Sequence, residues 1–327
     1  MTAVMKVLTE SGWKPWGGGS SNHQWVRPAD WLPMPDMNPG PGVEKVAALH
    51  PVSGKHGWTA LTAEGDYTVD WGDGNIEDFA SGVTAEHVWN FDDLDPDSLT
   101  SQGFRQALVI ITPQDGQHIT SLTFDVSHSA LTNNYAHDWL DIVGELPNVV
   151  TLTISYNLYA ARVQRIVFGD LPSATDLSYF ASSCYALQTL TVGDLPSATD
   201  LSSFASSCYA LQTLTVGDLP SATDLSYFAS YCQALQTLTV GDLPSATNLS
   251  SFASYCYALQ TLVVGATASN LDVNAKQLDH DALVALFTAL NDGTGVSVTI
   301  TNNPGVADLT GPDRAIATDK NWTIVDA

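Results

Sequence analysis

Apolar and polar positions recur along this chain with two periods, one nested in the other. Between residues 169 and 264 the 24-residue unit GDLPSATDLSYFASSCYALQTLTV runs four times with few changes, starting at Gly169, Gly193, Gly217 and Gly241. Inside a unit, Leu187-x-x-Leu190-x-Val192 alternates like a strand with one buried face, and Gly193 breaks it. Thr199 and Asp200 then stand where a helix cap would. Leu201, Phe204, Ala205 and Cys208 follow at helical spacing, so the pattern predicts a short helix from Leu201 to Cys208. One coil cannot cover its own apolar face. Stacked coils can, with Phe180 on Phe204, Phe228 and Phe252 in a ladder.

The rest of the chain reads as three further parts. Residues 1–56 predict an extended arm: Gly and Ser are dense after Trp16, and Pro is dense from Pro28 to Pro41, which forbids a long helix or a central strand. Trp13, Trp16, Trp25 and Trp31 on this arm either pack back on the next domain or fill pockets on a neighbouring subunit. Residues 57–127 predict a small β-sandwich, with strands at 58–63, 67–71, 87–91, 107–112 and 121–126 and a turn at Trp71-Gly-Asp-Gly-Asn75. Residues 128–265 hold the repeats, regular from 169. Strand phrases at 118–126, 146–154 and 163–168 read as degenerate coils leading into them, so the sandwich should abut the stack without a linker. Residues 266–327 predict a cap: an amphipathic helix at 278–290 opened by Asp279 or Asp281, a strand at 296–300, a short helix at 312–320 and a last strand at 322–325.

Three resemblances follow from these residues. The Phe-Ala-x-x-Cys-x-x-Leu-x-x-Leu phrase resembles leucine-rich repeats of the BspA type, which implies a solenoid binding scaffold over about 146–264. Tyr67-Thr-Val-Asp-Trp-Gly-Asp-Gly74 followed by His87-Val-Trp89 resembles a PKD domain. The N-terminal Trp-Val-Arg-Pro-x-Asp-Trp-Leu phrase, with the PKD-like unit and repeats behind it, resembles phage virion structural proteins. The expected fold is therefore mixed and mainly β: an arm, a PKD-like sandwich, a leucine-rich-repeat solenoid and an α/β cap.

Charge narrows the partners. The 35 acidic residues against 11 basic ones give a net charge of −24, which argues against nucleic acid. No apolar run reaches the roughly 18 residues that a membrane span needs, and no secretory apolar region precedes Trp13. The four cysteines, Cys184, Cys208, Cys232 and Cys256, recur only because the unit does, and they read as buried thiols. Catalytic motifs are missing. Asp138 and Asp141 beside His137 can be written as an acid pair, but a solvated turn explains them as well. Asp70 and Asp73 are weak calcium candidates, against which Asx-turn hydrogen bonding is the plainer reading. No cofactor is expected.

The informative positions are those that change between units. One column reads Tyr179, Ser203, Tyr227, Ser251. A second reads Ser183, Ser207, Tyr231, Tyr255, and a third Tyr185, Tyr209, Gln233, Tyr257. These flank the buried Phe and Cys and should face solvent. Tyr and Ser suit adaptable recognition, and Tyr rows stack on sugar rings. Two Asp columns run beside them: Asp170, Asp194, Asp218, Asp242, and Asp176, Asp200, Asp224, Asn248. Capping explains the second, because Asn248 keeps the oxygen without the charge. The expectation is a non-enzymatic, homo-oligomeric virion protein. Its arm would join other virion proteins and its repeats would meet a host-surface glycan or protein. A bacterial surface adhesin of the BspA type is the alternative. A glycan depolymerase comes third, since it needs a carboxylate pair in a cleft.

Overall fold

The computed structural model describes residues 6–9, 12–15, 24–37, 43–54, 57–129, 138–154 and 162–326 except 266, 268, 275 and 294, with backbone alone at 6–9 and 12–15. The chain is mainly β, and among the described residues its sheets do not close into a barrel. A hairpin of β1 (Lys6–Thr9) and β2 (Gly12–Pro15) comes first. Then follow β3 (Lys45–Val52), β4 (Trp58–Glu64), β5 (Tyr67–Asp70), β6 (Ile76–Phe79), β7 (Thr84–Val88), β8 (Arg105–Pro113) and β9 (Ser121–Thr123). After them come β10 (Asp141–Glu145), β11 (Thr151–Thr153) and β12 (Arg165–Phe168). The four units supply β13 (Thr189–Val192), β14 (Thr213–Val216), β15 (Thr237–Val240) and β16 (Thr261–Val264).

One sheet runs through most of these parts. Its ten strands lie in the order β16-β15-β14-β13-β12-β10-β3-β8-β5-β6. From β10 to β16 the strands are parallel, and each unit pairs with the next 24 residues on, Leu190 with Leu214 and Leu214 with Leu238. From β10 through β3, β8, β5 and β6 they are antiparallel. The second sheet, β11-β9-β4-β7, continues as well. Thr151 bridges Asp176, and bridges then run from Asp176 to Asp200, Asp224 and Asn248. Both layers of the sandwich thus become both faces of the stack, and one apolar cluster fills the space from Val46 to Trp322.

Three expectations are corrected. The span read as an arm contains β3, a buried strand central to the long sheet. It carries Pro51, but Pro51 stands one residue from the strand's end, where a missing ladder bond costs least. The strand phrase at 146–154 does not lead the coils in the same sheet: β11 lies in the opposite layer, and β10 holds that place in the long sheet. The predicted Leu201–Cys208 helix is instead a run of turns. Phe180 N–H bonds Leu177 C=O, and Cys184 N–H bonds Ala181 C=O, within the coil. Between them the N–H groups of Leu177, Tyr179, Ala181 and Ser183 leave the coil for Asp200, Ser202, Phe204 and Ser206 C=O on the next. A helix would keep every such bond inside its own segment. Spacings of three and four do not separate the two arrangements.

The buried ladder is as the spacing implied. Phe180, Phe204, Phe228 and Phe252 stack at 4.9, 5.1 and 5.2 Å between centroids. Cys208, Cys232 and Cys256 donate to Ala181, Ala205 and Ala229 C=O at 3.0–3.1 Å and are free thiols. Burial pushes the Cys208 and Cys232 thiols up, away from the reactive thiolate. The first Asp column is a ladder too: each carboxylate of Asp170, Asp194 and Asp218 accepts the N–H of the Asp one coil on, at 2.8–2.9 Å. Gly193 follows from this, since a Cβ there would lie 2.3 Å from Asp170 Oδ1. The second column closes Asx turns, as Asp200 does on Ser202 N–H at 2.8 Å.

Beyond the stack, β17 (Leu271–Asp272), β18 (Val296–Thr299) and β19 (Trp322–Val325) form a parallel sheet. Helix α1 (His280–Ala289) packs on β16, with Asp279 as its cap on Ala282 N–H at 2.9 Å. Helix α2 (Gly311–Thr318) opens on a capping box of Thr310 and Asp313.

Candidate functional site

The turn face of the stack carries the variable columns, and its backbone explains their exposure. Tyr179, Ser203, Tyr227 and Ser251 have φ of 56–57°, and Ser183, Ser207, Tyr231 and Tyr255 have φ of 60–64°. Left-handed residues turn the chain sharply between buried Phe and Cys, so their side chains point away from the core. The cost, about 1 kcal/mol for each L-residue, is borne because alternate N–H groups gain partners on the next coil.

The columns gather into two groups. Tyr185 and Tyr209 stack at 5.1 Å on the first two coils. On the last two, Tyr231 and Tyr255 stack at 4.4 Å, and Tyr257 meets Tyr255 edge-on at 6.0 Å. Tyr227, Tyr231, Tyr255 and Tyr257 are each 40–52% exposed. Tyr255, with burial, Tyr227 and Tyr257 contributing less, raises the Tyr231 phenol above its ordinary value. The second group is thus a contiguous aromatic surface held on ordered backbone. Tyr179 lies on the first coil, 46% exposed.

No protein family and no curated protein matches this chain. What it binds has to be read from its own surfaces.

Of the four tryptophans read as either packing back or filling a neighbour's pockets, Trp25 and Trp31 pack back on this chain's own sheet. Trp31 is buried against Leu49 and Leu140, with Trp25 packed beside it, 6.3 Å from ring to ring. Trp25 N–H reaches Gln212 Oε1 at 2.8 Å, and its indole N–H reaches Gln164 Oε1 at 3.2 Å. Arg27 lies over the Trp31 ring and bonds Asp141 Oδ2 at 2.7 Å, while Arg165 holds Asp141 Oδ1 at 2.9 Å. The segment 24–37 is therefore a strap across the outer face of the long sheet. Trp16 lies outside the described residues, and only the backbone of Trp13 is described.

Asp141 is accordingly no solvated turn residue. It is fully buried, and two guanidinium groups neutralise it. Asp138 lies 3.3 Å from Arg162, and His137 is outside the described residues. Sequence reading missed this lock because Arg27, Asp141 and Arg165 are far apart in the chain. At the Trp71 turn, Asp70 and Asp73 each accept a backbone N–H, from Gly72 and Asn75, at 3.0 Å. Asp73 also holds His87 Nε2 at 2.8 Å. Gly72 has φ +76°, and a Cβ would lie 2.6 Å from Leu108 C=O. Among the described residues, no three His, Cys, Asp or Glu side chains group as metal ligands would, and no helix is long and apolar enough to cross a membrane.

Proposed function

We propose that this chain is a non-enzymatic adhesion protein of a tailed-phage virion, a leucine-rich-repeat stack carried on a PKD-like sandwich. Its repeat surface binds a host-surface glycan. One observation carries the binding role: the rings of Tyr231, Tyr255 and Tyr257 pack into an exposed cluster on two adjacent coils, with Tyr227 exposed on the same coil as Tyr231. Phenol rings offer flat faces for the C–H side of a sugar and hydroxyls for its polar edge. A net charge of −24 favours neutral or amino-bearing sugars over acidic ones. The virion assignment rests on the order of tryptophan-rich segment, WGDG sandwich and repeats. With Trp25 and Trp31 engaged on their own sheet, attachment to a neighbouring virion protein falls to the segment before Gln24.

The chain supplies its own controls for a test. Ser203 and Ser251 stand at the Tyr227 position of other coils, Ser183 and Ser207 at that of Tyr231 and Tyr255, and Gln233 at that of Tyr257. The variant Tyr227→Ser, Tyr231→Ser, Tyr255→Ser, Tyr257→Gln therefore keeps the fold. It is expected to weaken binding to purified host-surface polysaccharide at least about tenfold, since each stacked ring contributes about 1 kcal/mol. Unchanged binding in a glycan-binding assay would remove the tyrosine surface from the proposal.

A further inference from the structure

On the turn face, fixed positions of each inner coil donate hydrogen bonds forward to the next coil. The N–H groups of Leu177, Leu201 and Leu225 reach the C=O of Asp200, Asp224 and Asn248 at 2.8–3.0 Å. Those of Tyr179, Ser203 and Tyr227 reach Ser202, Ser226 and Ser250 at 2.9–3.0 Å. In the fourth coil the equivalent donors belong to Leu249 and Ser251. Among the described residues, no acceptor meets either of them. Their geometry is nevertheless that of the inner coils, for Ser251 keeps φ 56° as Ser203 and Tyr227 do.

The reason lies in the path of the next segment. It follows the repeat as far as a bridge between Leu243 and Thr267. It then departs as β17, which pairs with β18 and leaves the coil. A cleft of about 430 Å³ opens where the path diverges, with Asn248, Leu249, Ser250 and Ser251 on one wall and Asn270 and Asp272 on the other. At every inner junction that volume is filled by the following coil.

We propose that this cleft binds an extended peptide segment of another polypeptide, docked parallel to Asn248–Ser251. Its backbone carbonyls would take the place that those of Asx and Ser take at the three inner junctions. The protein side is already in its bound shape, so little ordering cost falls on it. The occupant is uncharged at the Asx position. Asn248 shows that the column accepts an amide, and the Asp272 carboxylate on the facing wall disfavours an acid. This site is separate from the tyrosine surface and does not depend on it.

Residue-resolved amide exchange on the whole chain tests the proposal. In the free protein, Leu249 and Ser251 amides should exchange roughly a hundredfold faster than those of Leu225 and Tyr227. The probe is the acetylated, amidated peptide Ala-Thr-Asn-Leu-Ser-Ser-Phe, a copy of residues 246–252. At millimolar concentration it should slow both amides about tenfold, saturably. Ser250→Trp, which fills the cleft mouth, should abolish the effect and leave Leu225 protected. Three results would overturn the proposal: Leu249 and Ser251 as slow as Leu225 without ligand, no response to the peptide, or equal protection by a neutral oligosaccharide.

Discussion

His50 shows what a single position can hide. It lies on the core face of β3, stacked on Trp89 at 4.6 Å and edge-on to Trp139 at 5.1 Å. Among the described residues, neither ring nitrogen has a hydrogen-bond partner. Burial, with smaller help from the Arg162 and His87 charges, pulls its pKa from 6.5 down to about 3. The unfolded chain takes up a proton near pH 6.5, and the folded chain refuses it until about pH 3. Stability should therefore fall as pH drops through that window, by roughly 5 kcal/mol in all. Chemical denaturation at pH 7, 5 and 4 checks this, and His50→Leu should flatten that part of the profile. In sequence this residue is one of eight scattered histidines, and no local spacing marks it as buried. Trp89 and Trp139 reach it only through the fold.

At the scale of the element, the repeat unit is legible in its core and illegible in its backbone. Leu190, Phe204 and Cys208 were placed inside by spacing alone, and they are inside. The turn geometry was not recoverable. Spacings of three and four fit a helix and a chain of turns equally, and the choice falls to hydrogen bonds that only a second coil can supply. The left-handed positions make that choice testable. Ser203→Tyr copies coils one and three and should leave stability unchanged. Ser203→Val puts a β-branched residue at φ 56° and should cost roughly 1–2 kcal/mol. Equal melting temperatures for the two variants would contradict the turn assignment. The strap belongs to this scale as well. Its tryptophans were visible as residues that avoid water, but their partners, Gln164, Gln212 and the Asp141 lock, were not.

At the scale of the whole molecule, the two layers of the sandwich run on into the two faces of the stack, so the parts share one core. A linker-joined pair would unfold in two steps; a shared sheet couples them. Heating followed by tryptophan fluorescence reports on Trp58, Trp71 and Trp89 in the sandwich and on the other tryptophans outside the four repeat units, and far-ultraviolet dichroism reports on the coils too. The two traces should coincide in a single transition, and separated midpoints would show that the shared strands do not transmit stability. A fragment of residues 57–127 lacks β3 and β10, which lie between β8 and the coils, and should not fold.

By itself the sequence determined the 24-residue period, the apolar ladders, a C-terminal block whose helix opens at Asp279 or Asp281, the WGDG turn and the excess of acidic over basic residues. Each is a local or periodic property, written in spacing and residue type. Only the tertiary structure decided that β3 leaves the arm to sit at the centre of the long sheet, that the strap closes on its own chain, and that forward donors of the last coil, Leu249 and Ser251 among them, meet no acceptor among the described residues. Those outcomes depend on partners tens to hundreds of residues away, whose carbonyls, carboxylates and rings meet only after the chain has stacked.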